Sequence, residues 1–338
     1  MSPRSARSEA ATGSGRDALP EEQQQVLRRA IRLEWITIAV LSVTIAVVGV
    51  VTGQSQAMKA AWLEDMLSLL PPIAFLVADR RIRIGPDRDH PYGHHRSIGV
   101  AHLVAAIALL AMGSFLVIDS VMGLVKVEKP PIGIVVLFGH PLWAGWLMVI
   151  VMAASAVAPV ILGRKKLKLA EQLHDKVLFA DADMNKADWS TAVATIIGVL
   201  GIGIGLWWFD AAAAIIVSIS ILRDGFKNLR AAVGGLTDAR ARTYDEKNAH
   251  PLTREVEQRA AETSWVDQAV GRVRDQGHVF HVEMFVVPKP GQNPSVEQFT
   301  ELREALCDLD WKIHDVVVVP VPEISRRQAP AETARHGR

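Results

Sequence analysis

The apolar residues of this chain are gathered into long uncharged runs that are separated by short polar segments. Trp35–Gly53 supplies 19 residues without a charge, and Ile98–Ile118, Leu142–Leu162 and Trp189–Phe209 supply 21 each. An α-helix needs roughly 20 apolar residues to cross the hydrocarbon core of a bilayer. The pattern therefore predicts four membrane-spanning helices.

Two shorter runs predict weaker spans. Met66–Ala78 holds 13 uncharged residues and Ala211–Leu222 holds 12, so each can cross only if flanking charges enter the membrane. Because Asp210 alone cannot reverse the chain between two helices, the fifth helix must end within the glycine-rich segment before it, which places that helix at roughly 177–203. Six spans result, and two of them carry acids: Glu64 and Asp65 in the second, and Asp181, Asp183 and Asp188 in the fifth.

After about Asp238 the pattern changes to that of a small soluble domain. The predicted elements are helix Arg254–Thr263, strands Val270–Arg274 and Val279–Val287, helix Ser295–Leu309 and strand Val316–Val321. This α-β-β-α-β order predicts a ferredoxin-like α+β sandwich. The predicted fold is an all-α six-helix transmembrane domain, 31–232, followed by a cytoplasmic α+β dimerisation domain, 233–323, between disordered ends at 1–30 and 324–338.

Composition and charge agree with a membrane protein that has a soluble tail. Half of the residues are hydrophobic, and the mean hydropathy is +0.20. The net charge is only +1, from 37 Lys+Arg and 36 Asp+Glu, which excludes a typical nucleic-acid binder because such proteins are strongly basic. A lone cysteine, Cys307, excludes a disulfide framework and a cysteine-rich zinc site.

The distribution of basic residues predicts the orientation in the membrane. Fifteen Lys and Arg, including the group Arg164–Lys168, fall on one side of the six predicted spans, and three fall on the other. Both termini are therefore expected in the cytoplasm. The polar first 30 residues hold no apolar core of a cleavable signal peptide, and we expect a bacterial inner membrane protein in contact with lipid headgroups.

Ionisable residues inside a span are costly and are by default functional. Glu64, Asp65 and Ser68 lie together in the second predicted helix, and the fifth places four polar or sulfur-containing residues on one face: Asp181, Met184, Asn185 and Asp188. If these faces meet, they form an oxygen-rich site that suits a divalent cation and can exchange it for protons. The alternative is that Glu64 and Asp65 only cap the wet end of the second helix.

A second group of metal ligands follows in the loop between the second and third predicted helices. Asp87, His90 and His94 lie within eight residues, and one acid with two histidines can bind a transition metal. The alternative is a polar loop whose histidines are solvated. His278 and His281 are three residues apart on a predicted strand, so they are expected to face opposite sides.

These features together resemble the cation diffusion facilitator transporters. The resemblance covers roughly residues 30–323, and its most specific element is Asp87 followed by His90-Pro-Tyr-Gly-His94. It places Glu64 and Ser68 on the metal positions of the second helix, and Met184 and Asp188 on those of the fifth. Asp65, Asp181 or Asp183 then compensates for the family ligands that Ser68 and Met184 replace.

The resemblance also bears on the tail and on the junction before it. His281 falls on a family metal position within a His-x-Glu-Met strand, but Val or Pro fills the companion positions around Val318–Pro322. In this family a basic residue after the loop pairs with an acid after the sixth helix, and the counterparts here are Arg96 and Asp238.

The activity implied by the resemblance is export of a divalent metal by proton exchange in a homodimer, without a cofactor and without enzymatic chemistry. The helix positions lack the histidine nitrogen that usually favours zinc. Because the soft sulfur of Met184 stands beside hard carboxylates, manganese, iron, cobalt, zinc and cadmium all stay open. Two alternatives stand beside this one: a degenerate sensor or scaffold with little transport, and a membrane enzyme whose acids hold a catalytic metal.

Overall fold

A computed structural model describes residues 19–51, 62, 65–127, 133–137 and 140–325 of the chain. The chain divides into two units, one that comprises 25–83 and 97–233 and one that comprises 84–96 together with the segment from 234 onward. The first unit is helical, and the second combines the predicted metal loop with the α+β tail. Residues 1–18 and 326–338 of the predicted disordered ends lie outside the described residues. The prediction of disorder is wrong for residues 21–30, which form the first turns of a helix.

Six helices carry the chain through the first unit and into the second, within the described residues. They are α1 Glu21–Val51, α2 Leu70–Ile82, α3 Ser97–Val125, α4 Ala144–Leu173, α5 Lys176–Gly203 and α6 Phe209–Leu236. Three of them, α1, α3 and α4, are long and apolar enough to cross a membrane. The fifth and sixth carry more charge, so the prediction of six spans remains a prediction.

The α4–α5 connection shows why these two helices form an antiparallel hairpin. His174 adopts the left-handed conformation at the end of α4 (φ 52°), and the Asp175 side chain accepts hydrogen bonds from Val177 N and Leu178 N at the start of α5. A carboxylate at this position satisfies amides that have no partner within the helix. The fifth helix therefore starts one residue before its predicted start and ends at the predicted residue. Gly205, with φ +92°, lies in the turn that follows.

The second helix differs from its prediction. Helical backbone at 65–67 is followed by a turn at 68–69, and α2 starts only at Leu70. Pro71 and Pro72 cause the break, because they remove the amides that a continuous helix would direct at the carbonyls of Leu67 and Ser68. Asp65 and Ser68 consequently lie just before α2 and at the break, and not inside a continuous helix.

A short hairpin before α4 was not predicted. Strands β1 Ile134–Leu137 and β2 His140–Trp143 pair antiparallel, with Ile134 opposite Trp143. The predicted fourth span therefore begins at Ala144 and not at Leu142.

The tail has the predicted α-β-β-α-β order: α7 Leu252–Ala261, β3 Val266–Asp275, β4 Phe280–Pro288, α8 Val296–Cys307 and β5 Ile313–Pro320. The strands lie in the order β3-β4-β5, with β3 and β4 antiparallel and β4 and β5 parallel. Val256, Phe280 and Leu306 are among the fully buried residues between the helices and the sheet. β3 starts four residues earlier than predicted, and His278 lies in the turn before β4 and not on the strand.

Candidate functional site

The break before α2 faces the middle of α5. Ser68 Oγ donates a hydrogen bond of 2.6 Å to Asp188 Oδ1, and the Ser68 side chain is almost completely buried. These are two of the positions at which the resemblance places metal ligands. Glu64, another of the four positions, lies outside the described residues, and the neighbouring Asp65 is partly buried.

A cavity opens beside this hydrogen bond. Residues from α1, α4 and α5 line it together with Asp65, and its polar lining consists of Thr44, Asp65, Ser155, Asn185, Asp188 and Thr191. Thr191 Oγ1 is buried and has no hydrogen-bond partner among the described residues. Pro159, also in the wall, removes the amide that would otherwise bond the carbonyl of Ser155. The cavity therefore presents two carboxylates and several neutral oxygens, which are the donors that hard divalent cations prefer.

Asp181, about two helical turns before Asp188, forms its contacts elsewhere. Its Oδ2 accepts from Lys166 Nζ at 2.6 Å, and the same nitrogen lies 3.1 Å from Glu34 Oε2. The side-chain exposures of Glu34, Lys166 and Asp181 are 0%, 0% and 1%. Lys166 is therefore not a solvated loop cation, as its place in the basic group Arg164–Lys168 indicated, but a buried residue of α4.

Met184 is not among the described residues that line the cavity. Its side chain is 1% exposed and packs in an apolar cluster with Leu109, Met112 and Ile221. Asp183 points to another neighbour and accepts a hydrogen bond of 2.9 Å from Asn228 Nδ2. Of the acids on α5, Asp188 is the one placed at the cavity.

The loop 84–96 brings its three predicted ligands together. One potential ligand atom from each of Asp87, His90 and His94 lies within 4.8 Å of the other two. Asp87 Oδ1 accepts from the backbone N–H of His90 at 2.6 Å, a bond that lowers the pKa of the Asp87 carboxyl. The His94 side chain is 9% exposed, and its Nε2 lies 3.5 Å from Asp87 Oδ2. Gly93 allows the tight turn between the two histidines, because its φ of +72° is one that side chains rarely adopt.

The predicted tail ligand, His281, is buried on β4. Its Nδ1 lies 3.3 Å from Asp315 Oδ2, and the hydrogen bond lowers the pKa of Asp315. Tyr92 of the loop lies edge-on to the His281 ring at 6.4 Å between centroids. His95 of the same loop lies 4.8 Å from the ring centre of His314, so the loop and the sheet share an aromatic contact.

The predicted pair of Arg96 and Asp238 is present. Arg96 Nη2 donates to Asp238 Oδ1, and Arg96 Nη1 donates to the carbonyl of Leu236 at 3.2 Å. Arg274 of β3, which was not part of the predicted pair, also lies 3.5 Å from Asp238 Oδ1.

Glu34 and Lys166 are two buried charges that the sequence analysis did not single out. Glu34 directly precedes the first apolar run, and Lys166 follows the fourth, where cations commonly mark the membrane surface. Their burial depends on tertiary packing of α1, α4 and α5, which no local pattern reveals.

The chain is similar in sequence to a known family and to several known proteins. The family description "Cation efflux transmembrane domain" matches residues 34–237. "Manganese efflux system protein MneS" of Bacillus subtilis (strain 168) is 24% identical over 69% of this chain and 73% of its own length. "Uncharacterized transporter YdbO" of the same organism is 25% identical over 82% of this chain and 90% of its own length.

A third relative, "Manganese efflux system protein MneP" of Bacillus subtilis, is 25% identical over 65% of this chain and 72% of its own length. The family match covers more than half of the chain and contains the cavity residues and the loop with Asp87, His90 and His94. The protein is therefore an integral membrane transporter and not an enzyme, and the chain belongs to the cation efflux, or cation diffusion facilitator, family.

Proposed function

We propose that the chain is a homodimeric antiporter that exports a divalent transition metal from the cytoplasm in exchange for protons. The observation that carries the proposal is the 2.6 Å hydrogen bond from Ser68 to Asp188 beside a cavity that Asp65 also lines. This hydrogen bond joins the break in the helix before α2 to the acidic face of α5. Broken helices near the middle of a transport domain are a common location for ion sites in transporters.

Manganese is the metal that the donor set favours. Asp65 and Asp188 offer two negative charges, and Ser68, Asn185 and Thr191 offer neutral oxygens in the same region. Hard oxygen donors of this kind suit manganese, whereas imidazole and thiolate favour zinc and other softer ions. Two of the relatives are named as manganese efflux proteins, which supports the same choice. Iron, cobalt, zinc and cadmium are the other metals to test.

Proton exchange follows from the charge balance of the cavity. Carboxylates inside a membrane domain need a counter-charge at each stage of a transport cycle. When the metal leaves toward the far side, protons taken up by Asp65 and Asp188 remove the charge that the metal had balanced. Glu64, one residue before Asp65, is retained as a further member of this site.

The loop has a separate role in the proposal. Asp87, His90 and His94 form a cytoplasmic collecting site that raises the local metal concentration before transport, with both chain termini on that side. His281 is retained as a weaker ligand position in the tail, because its Nδ1 already lies close to Asp315.

Asp188→Asn tests the transport site. We expect Mn²⁺ uptake into sealed inside-out vesicles to fall roughly 10- to 100-fold, because the substitution removes a charged ligand and leaves the helix intact. Asp183→Asn is the matched control, since this acid lies on the same helix but bonds Asn228 and does not line the cavity. If Asp188→Asn takes up Mn²⁺ as fast as the Asp183→Asn control, Asp188 is not part of the transport site. Metal binding without flux in the unmodified chain would favour the sensor or scaffold.

A further inference from the structure

Three helices of the first unit, α1, α4 and α5, each bury one ionisable side chain at a common point. Lys166 Nζ of α4 lies 2.6 Å from Asp181 Oδ2 of α5 and 3.1 Å from Glu34 Oε2 of α1. We call these three residues the buried triad. With exposures of at most 1%, all three charges lie out of contact with water.

The ammonium group occupies the position that a bound cation would take. Two carboxylates from different helices approach the same nitrogen atom, and divalent metals bind carboxylate oxygens at roughly 2.0–2.6 Å, only slightly closer than these contacts. Without the ammonium, the carboxyl groups of Glu34 and Asp181 would share a dry site and would have to take up protons or bind a cation, and one divalent cation would neutralise both carboxylates.

The buried triad is adjacent to the cavity that holds Asp188. Asn185 Nδ2 donates to the carbonyl of Asp181 at 2.8 Å and approaches Asp181 Oδ1 at 3.3 Å, while the same residue lines the cavity. Asp181, Asn185 and Asp188 follow one another along a single face of α5. Asn185 in the cavity wall therefore lies one helical turn from the Glu34–Asp181 pair, and Asp188 lies about two turns from it.

We propose that Lys166 is a resident cation that excludes divalent metal from the Glu34–Asp181 pair and so confines the cargo to Asp65, Ser68 and Asp188. This inference rests on the proposed function for the identity of the cargo. Lys166 is thus a specificity-determining residue, and Asp181 is a ligand of the ammonium group and not of the metal. A tethered ammonium cannot leave with the cargo, so the pair stays occupied throughout the cycle.

The test is the number of Mn²⁺ ions that the full-length protein binds in detergent, measured by equilibrium dialysis. Lys166→Met keeps the length of the side chain and removes its charge. We expect this variant to bind one Mn²⁺ per chain more than the unmodified protein. The additional ion should disappear when Glu34→Gln and Asp181→Asn are added, and should persist when Asp188→Asn is added.

The combined variant with Glu34→Gln, Lys166→Met and Asp181→Asn is the matched control for folding, because it removes all three charges together. If Lys166→Met alone is recovered folded only from cells grown with added Mn²⁺, the metal has replaced the ammonium and the proposal stands. A folded Lys166→Met protein that binds the same number of ions as the unmodified protein overturns it. So does a Lys166→Met protein that fails to fold with and without Mn²⁺ while the combined variant folds.

The proposed function can fail independently of this inference. An unmodified protein that binds no Mn²⁺, beside a Lys166→Met variant that binds one, would refute the transport site and leave the role of Lys166 intact. The reverse result, with a site that Asp188→Asn abolishes and no additional ion in Lys166→Met, would refute the inference alone.

Discussion

Reversing the charges of Arg96 and Asp238 tests the pair that ties the metal loop to the start of the tail. The two side chains are 43% and 49% exposed, so their direct attraction is worth about 0–1 kcal/mol. Arg96 also donates to the carbonyl of Leu236, and a hydrogen bond from a charged donor adds roughly 1.5 kcal/mol. We therefore expect Arg96→Asp to lower the free energy of unfolding by about 2 kcal/mol.

The structure also determines how much the exchanged pair recovers. Asp238→Arg in combination with Arg96→Asp restores the attraction but not the bond to Leu236, and it places a new cation beside Arg274, which lies 3.5 Å from Asp238. We expect recovery of about half of the loss, and fuller recovery when Arg274→Gln is added. The assay is urea unfolding of the full chain in detergent, followed by tryptophan fluorescence. The reasoning is refuted if the exchanged pair is no more stable than the less stable single variant.

Two further predictions concern the loop. Changing His90 and His94 together to Ala should raise the Mn²⁺ concentration for half-maximal transport and leave the maximal rate unchanged, whereas an unchanged half-saturation would show that the histidines are solvated bystanders. Burial, followed by His314, His278 and His94, lowers the pKa of His95 to about 4. Because the unfolded chain binds this proton near pH 6.5 and the folded chain does not, stability should fall by up to about 2 kcal/mol from pH 7 to pH 5. His95→Gln should flatten this dependence in urea unfolding, and an equally steep profile would contradict the assignment.

Helical periodicity and turn geometry were sufficient to find the fifth helix. Because Asp210 alone cannot reverse the chain, the fifth helix is expected to end near residue 203, and α5 does end at Gly203. Asp188 therefore lies inside the helix. The 3.6-residue period then placed Asn185 and Asp188 on one face, and both line the cavity. These inferences succeed because they depend only on local backbone geometry.

Other features required information that a local pattern does not contain. The hairpin at 134–143 has strands of four residues each, too short to produce a clear alternation. Pro71 and Pro72 were visible in the sequence, but an uncharged run concealed the break that they cause. Lys166 follows an apolar run. A lysine in that position can contact lipid headgroups or form a buried ion pair, and the sequence pattern is the same in both cases.

Coupled movement of Mn²⁺ and protons can be measured in proteoliposomes that contain the purified protein. With an acidic lumen, the proposed antiport predicts that Mn²⁺ accumulates inside and that each increment is accompanied by alkalinisation of the lumen. Both signals should be lost with Asp188→Asn and retained with Asp183→Asn. Mn²⁺ uptake that leaves the luminal pH unchanged, or proton movement that is independent of metal, would contradict the account.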